Sequence, residues 1–168
     1  WLWEDIFSAA GESGFRHQIH FLGYVPEEEL PTLYSLADLF VFPTLYEGFG
    51  LPALEAMACG TPVVSSNTSS LPEVVGEAGL LVDPLDIRAL ALAMEKVLSD
   101  GRLHRKLARK GQERAKRFSW ERSAEKLLAL YGLKWNPFAP GPARVLSSLS
   151  AGKFPPPYPL NLLNPIVR

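Results

Sequence analysis

The chain has 168 residues, 47% hydrophobic and 21% charged, with 17 Lys and Arg against 18 Asp and Glu and a formal net charge of -1. That length and apolar fraction suit one ordinary core in a soluble globular protein, and the near-neutral charge supplies no long-range attraction to nucleic acid or to an anionic membrane. Cys59 is the single cysteine, so neither a disulfide nor a thiolate metal cluster can form within the chain.

No signal-peptide pattern and no apolar run of about 20 residues is visible. The sequence opens at Trp1, already inside a helix-like pattern, which leads to the expectation of a piece of something longer. Taken in chain order, short β-rich runs alternate with helix-period segments, the pattern of a parallel sheet covered by helices. The spacing predicts strands at 18–22, 38–42, 61–65 and 79–82. It predicts helices at 27–37, 51–58 and 71–75. Pro26 and three consecutive glutamates suit the start of the first helix through fixed φ and through charge against the macrodipole. Gly60 and Pro62 stop the second. After Asp83-Pro84 no further strand is expected, and three amphipathic helices follow at 87–98, 103–118 and 120–131, with Asp86 and Ser119 as caps for the first and third. Residues 133–168 hold 8 of the 15 prolines and no Asp or Glu. They read as a Pro-rich irregular or disordered tail after a domain spanning 1–132.

One stretch carries chemistry. Asp38 to Phe42 reads as a buried parallel strand, and Pro52 can open the next helix, so Glu47 to Leu51 lies in the loop at a strand's carboxyl end, where open α/β sheets bind ligands. Gly48 and Gly50 remove side chains where backbone amides can approach a ligand, and the helix start adds N–H groups and partial positive charge suited to phosphate. Glu47 precedes the glycines and Glu55 lies about one turn into the helix. Both are pure hydrogen-bond acceptors, suited to hydroxyl donors. A diphosphate flanked by two hydroxyl-bearing rings fits this arrangement, and a nucleotide sugar is such a ligand.

These residues resemble the carboxyl-terminal, donor-binding domain of retaining GT-B glycosyltransferases of family 4, whose mark is two glutamates separated by seven residues. Here that mark is Glu47-Gly-Phe-Gly-Leu-Pro-Ala-Leu-Glu55. Flanking pieces agree in order: Phe21-Leu22-Gly23-Tyr24-Val25, Leu36-Ala37-Asp38 running into Val41-Phe42-Pro43, Ala58-Cys59-Gly60-Thr61-Pro62-Val63-Val64, and Leu71-Pro72-Glu73-Val74-Val75-Gly76. Gly79-Leu80-Leu81-Val82-Asp83-Pro84 and Phe118-Ser119-Trp120 follow, so the resemblance covers roughly residues 15 to 131. It implies a Rossmann-like doubly wound parallel sheet, incomplete at its start, with a helical carboxyl-terminal segment.

The resemblance also implies roles. Glu47 would be the catalytic-site residue on the donor sugar, positioning it and stabilising charge rather than serving as a proven nucleophile, and Glu55 would hold the ribose. Backbone amides of Gly48, Phe49, Gly50 and Leu51 would serve sugar and diphosphate, Tyr24 and Val25 would border the nucleobase, and Thr44 would be a further candidate. The donor would be a UDP- or GDP-sugar, transferred as a mannosyl- or glucosyl-like hexose to a glycan or lipid-linked acceptor, without metal or cofactor, in polysaccharide biosynthesis. The family carries a basic diphosphate-binding residue near the start of this domain, and a separate acceptor-binding domain. Neither has a counterpart here, so the isolated chain is expected to be inactive.

Other readings stay open. The fold could serve a non-catalytic interaction module. Gly48-Phe-Gly50-Leu-Pro-Ala53 also fits the dinucleotide pattern G-x-G-x-x-A, but Pro43 to Glu47 separate strand from glycines and the next strand ends in Ser65-Ser66 instead of an acidic residue. Eight of the 17 basic residues lie between Arg102 and Arg117. They read as a solvated helix face, with a membrane surface as the alternative and no nucleic-acid partner; the expected location is cytoplasmic, with peripheral membrane attachment as a variant. His17, His20 and His104 show no ligand spacing, and Cys59 reads as a packing residue. Asn67-Thr68-Ser69 matches a glycosylation acceptor without an accompanying secretory signal. Its place at the edge that carries Glu47 makes Asn67 and Thr68 candidate border residues.

Overall fold

In a computed structural model, which describes residues 3–132, the strands β1 (Phe40–Phe42), β2 (Val63–Ser66) and β3 (Leu80–Val82) stand side by side in chain order, all parallel. Phe40 pairs with Val63, Val41 with Val64 and Phe42 with Ser65; Val64 pairs with Leu80, Ser65 with Leu81 and Ser66 with Val82. The helices are α1 (Trp3–Glu12), α2 (Leu30–Leu36), α3 (Leu51–Ala58), α4 (Leu71–Val75), α5 (Ile87–Ser99), α6 (Gly101–Ala115) and α7 (Trp120–Leu130). The chain divides into two compact units after Arg117; the sheet and α1 to α6 belong to the first, α7 to the second. The expected tail, 133–168, lies outside the described residues.

Alternation along the strands explains the layers, because successive side chains leave a strand on opposite faces. Phe40, Phe42, Val63 and Leu81 join Ala53, Ala56 and Met57 of α3 and Leu71, Val74 and Val75 of α4 in one core. Val64, Leu80 and Val82 join Ala93 and Val97 of α5 and Leu107 of α6 in a second core. Helices thus cover both faces, and β2 is fully buried, which is why Val63-Val64 reads as a continuous apolar run. Each of Met57, Leu71, Val63 and Val64, fully buried, contributes roughly 1.5–3 kcal/mol relative to exposure. α3 and α6 approach closely at Gly111, where an added Cβ would stand 3.2 Å from Met57 Cβ.

Helices α3 and α4 match the expected spans. Asp86 caps α5 by accepting from the Ala89 N–H at 2.8 Å, and Ser119 caps α7 by accepting from the Arg122 N–H at 3.2 Å. Elsewhere the bounds shift, and the larger differences have physical causes. The expected strand at 18–22 is absent: Arg16–Gln18 form a 3-10 turn, and although Ile19 is extended, residues 19–22 have no ladder partner among the described residues. The helix expected from Glu27 begins at Leu30, because Glu27 to Glu29 close a tight turn in which the Glu29 N–H reaches the Pro26 carbonyl at 3.0 Å. Pro31 then sits in the first helical turn, where its missing N–H leaves no bond unmade. α6 begins at Gly101 instead of Leu103 because Asp100 accepts from the N–H groups of Arg102 and Leu103. It ends at Ala115, before the expected Phe118. His104, given no chemistry from sequence, donates from Nε2 to the Asp38 carbonyl at 2.8 Å and ties α6 to the approach to β1.

Candidate functional site

Two loops leave adjacent strands at the carboxyl edge of the sheet. Residues 43–50 join β1 to α3, and residues 67–70 join β2 to α4. Hydroxyl groups lock the first loop onto β2 and the second loop. Ser65 Oγ donates to the Phe42 carbonyl at 3.0 Å, Ser66 Oγ to the Thr44 carbonyl at 2.5 Å, and Thr68 Oγ1 to the Leu45 carbonyl at 3.2 Å. Ser69 accepts from the Glu47 N–H at 3.4 Å and donates to the Glu47 carbonyl at 2.6 Å. It does so at φ +56, an uncommon conformation for a residue with a side chain. Ser70 Oγ lies 2.8 Å from the Glu47 carbonyl and 2.9 Å from the Phe49 carbonyl, its single proton shared between them.

This bracket orients the amides. In a planar trans peptide the carbonyl and the following N–H point in opposite directions. With the carbonyls of Glu47 and Phe49 both turned toward Ser70, the N–H groups of Gly48 and Gly50 point away from it. No side chain caps α3, whose N-terminus follows immediately and adds its partial positive charge. The result is a short row of donors suited to an anion.

The two glycines serve different ends. Gly50 has φ +99, and a Cβ there would stand 2.7 Å from Leu71 Cδ2, so fold geometry alone demands glycine. At Gly48 nothing lies within 4 Å of an added Cβ, so glycine there leaves open space beside the amides. Leu51 is the first residue of α3 and Phe49 is partly exposed beside it.

Glu47 is half-buried, and its carboxylate makes no hydrogen bond or ion pair among the described residues. Glu55 lies on the exposed stripe of α3 with Leu51 and Ala58, while Ala53, Ala56 and Met57 face the core. Helical side chains lean toward the N-terminus, which carries Glu55 back toward the glycine loop. Tyr34 of α2 donates its hydroxyl to Glu55 Oε2 at 3.2 Å. Burial, then the Glu55 charge and this hydrogen bond, push the Tyr34 hydroxyl up to about 12, so it stays a donor at neutral pH.

The remaining expected residues are placed as follows. Thr44 uses its proton on the Tyr46 carbonyl at 3.0 Å and shapes the loop. Tyr24 is 88% exposed after Gly23 at φ +67, and no hydrogen bond or ring contact joins Tyr24 or Val25 to the glycine loop among the described residues. Thr68 is brought against the loop by its bond to Leu45, whereas Asn67 is exposed and joins Val82 through its backbone. Sequence reasoning missed Ser65, Ser66, Ser69, Ser70 and Tyr34. The run Ser65-Ser66-Asn67-Thr68-Ser69-Ser70 at a buried strand's carboxyl end was the available signal, because buried hydroxyls need acceptors and the neighbouring loop offers carbonyls.

A surface groove of about 530 Å3 lies elsewhere, between residues 76–78 and α6. Two of its cations serve structure: Arg114 donates to the carbonyls of Val74 and Glu73, closing the end of α4, and Lys110 pairs with Glu77 at 3.2 Å. Among the described residues no three His, Cys, Asp or Glu side chains gather as metal ligands. No described helix is long and apolar enough to cross a membrane.

The family profile described as glycosyl transferases group 1 matches residues 4–114, which contain both strand loops and both glutamates. The chain belongs to this family. Among group 1 relatives it is 48% identical over 133 residues to the O-antigen chain mannosyltransferase B of Escherichia coli, covering 78% of this chain and 35% of that protein. Of solved structures, it resembles sucrose-phosphate synthase from Thermosynechococcus elongatus at 39% identity and TM-score 0.70, covering 77% of this chain and 33% of that one. It also resembles HepE of Anabaena in complex with UDP at 25% identity and TM-score 0.70, covering 77% and 36%. The fold is therefore the Rossmann-like carboxyl-terminal domain of GT-B glycosyltransferases. The chain spans about a third of the length of these relatives.

Proposed function

We propose that this chain is the nucleotide-sugar-binding part of a retaining family 4 glycosyltransferase that moves a mannosyl- or glucosyl-like hexose from a UDP- or GDP-sugar to a glycan or lipid-linked acceptor. One observation carries the reading: the N–H groups of Gly48 and Gly50 are turned away from Ser70 by its bonds to the preceding carbonyls, with Glu47 before them and Glu55 after them in the chain. The amides and the start of α3 hold the diphosphate, Glu55 accepts from the ribose hydroxyls and Glu47 from the sugar. Phe49 and Leu51 complete the strip, and Tyr24 and Val25 border the base. Likeness to a mannosyltransferase and to a protein crystallised with UDP supports a donor of this class.

In this reading departure of the nucleoside diphosphate is assisted by preorganised N–H donors, which cost no reorganisation as charge develops on the leaving oxygen, and no metal is required. Glu47 lies on the sugar side and stabilises positive charge developing there. Acceptor binding and the basic residue for the diphosphate come from parts of the full-length enzyme beyond these residues. The exposed basic face of α6, Arg102, Arg105, Lys106 and Arg109, suits peripheral contact with an anionic bilayer at the cytoplasmic side.

The test is a titration of the full-length enzyme with UDP, GDP and their hexose conjugates. Glu55→Ala is expected to weaken the nucleotide alone by roughly tenfold or more, whereas Glu47→Ala weakens mainly the sugar-bearing donor. Equal losses for both ligands in both variants would contradict the division of roles.

A further inference from the structure

Tyr34 stands one residue removed from the proposed donor and is fixed at three points. Its hydroxyl donates to Glu55 Oε2 at 3.2 Å. Its ring packs edge-on against Phe40 of β1 with centroids 5.3 Å apart. Its carbonyl accepts from Thr61 Oγ1 at 2.5 Å, and Thr61 is buried. The phenol is therefore anchored to the sheet, while the carboxylate of Glu55, on the exposed stripe of α3, makes no hydrogen bond or ion pair other than this one among the described residues. A free glutamate at such a position samples several rotamers and loses that freedom on binding a ligand, at a cost in affinity.

We infer that Tyr34 is a positioning residue for ribose recognition: it donates to one oxygen of Glu55 and holds the carboxylate plane so that the other oxygen, Oε1, faces the vicinal hydroxyls of the donor's ribose. The inference rests on the assignment of Glu55 to the ribose. A carboxylate accepts several hydrogen bonds, so the Tyr34 bond does not compete with the ligand. The phenol, pushed up to about 12 by burial and by Glu55, keeps its proton at neutral pH and so remains a donor to the carboxylate. A purely structural bond between α2 and α3 would make the same contact, but it would be indifferent to whether the ligand has ribose hydroxyls.

That difference defines the experiment. In the full-length enzyme, Kd is measured by calorimetry for UDP, GDP and their 2′,3′-dideoxy counterparts, with wild type, Tyr34→Phe and Tyr34→Phe combined with Glu55→Ala. Phenylalanine keeps the ring against Phe40, and the thermal midpoint reports folding. The expected result is that Tyr34→Phe weakens the better-bound ribonucleotide roughly five- to tenfold, leaves its dideoxy counterpart unchanged, and adds nothing to Glu55→Ala. If wild type discriminates ribose from dideoxyribose but Tyr34→Phe weakens both alike, or neither, the positioning role is overturned while the Glu55 assignment stands. If wild type binds both forms equally, the Glu55 assignment fails and this inference fails with it.

Discussion

Gly48 and Gly50 lie two residues apart in one loop, yet they answer to different constraints. Gly50 occupies a left-handed conformation and its α-hydrogen faces Leu71, so Gly50→Ala should cost about 1–3 kcal/mol from backbone strain and overpacking together. Gly48 has open space where a Cβ would sit, so Gly48→Ala should change stability by no more than about 0.5 kcal/mol. In the proposed reading, the methyl would nevertheless stand where the diphosphate approaches the amides. Chemical denaturation and nucleotide-sugar titration of both variants in the full-length enzyme check the pair. Gly48→Ala should lose donor affinity at unchanged stability, and unaltered affinity would show that no ligand occupies that space. The glutamates and glycines were legible in sequence because their spacing is local. Tyr34 and Ser70 were not, because their partners lie 21 to 23 residues away and are brought to them only by the packing of α2 on α3 and by the parallel pairing of β1 with β2.

The helices show which local signals suffice. Residues 51–58 and 71–75 were readable to the residue because Pro, Gly and the apolar pattern mark both ends. α6 was read two residues short because its start depends on one side chain: Asp100 accepts from two N–H groups in place of the absent helical bonds. Those bonds, from Leu103 first and Arg102 second, hold the Asp100 carboxyl below its usual 3.8. A carboxylate depressed in the fold contributes stability fully above its unfolded value and loses it as pH falls through the folded value. The α6 start should therefore weaken from about pH 4 downward. Asp100→Asn keeps a good cap without that titration, so the difference in thermal midpoint between wild type and variant should shrink as the solution is acidified. A difference constant with pH would mean that the Asp100 charge plays no part in the cap. The expected strand at 18–22 failed for the opposite reason: composition gives β propensity, but a strand exists only where a neighbour completes its ladder.

At the scale of the whole molecule, the described residues supply a sheet edge, an anion-suited loop and two carboxylates, which in the proposed reading form the donor site. The chain spans about a third of its group 1 relatives, and binding a donor is only half of a transfer. The 168-residue chain purified alone should show no transferase turnover with UDP- or GDP-hexoses and an oligosaccharide acceptor. It should at most gain thermal stability from the nucleotide, since a ligand that binds only the folded state raises the midpoint. Robust turnover would show that these residues carry a complete active site.

Sequence by itself determined the α/β class, three of the four strands, the place of the glycine loop at a strand's carboxyl end and the glutamate pair, because these follow from period, turn chemistry and spacing along the chain. Only the tertiary structure decided which way the loop's peptides face and what restrains Glu55. Those depend on hydroxyls of a neighbouring strand, a second loop and another helix, and a hydrogen bond between segments leaves no periodic trace in either one.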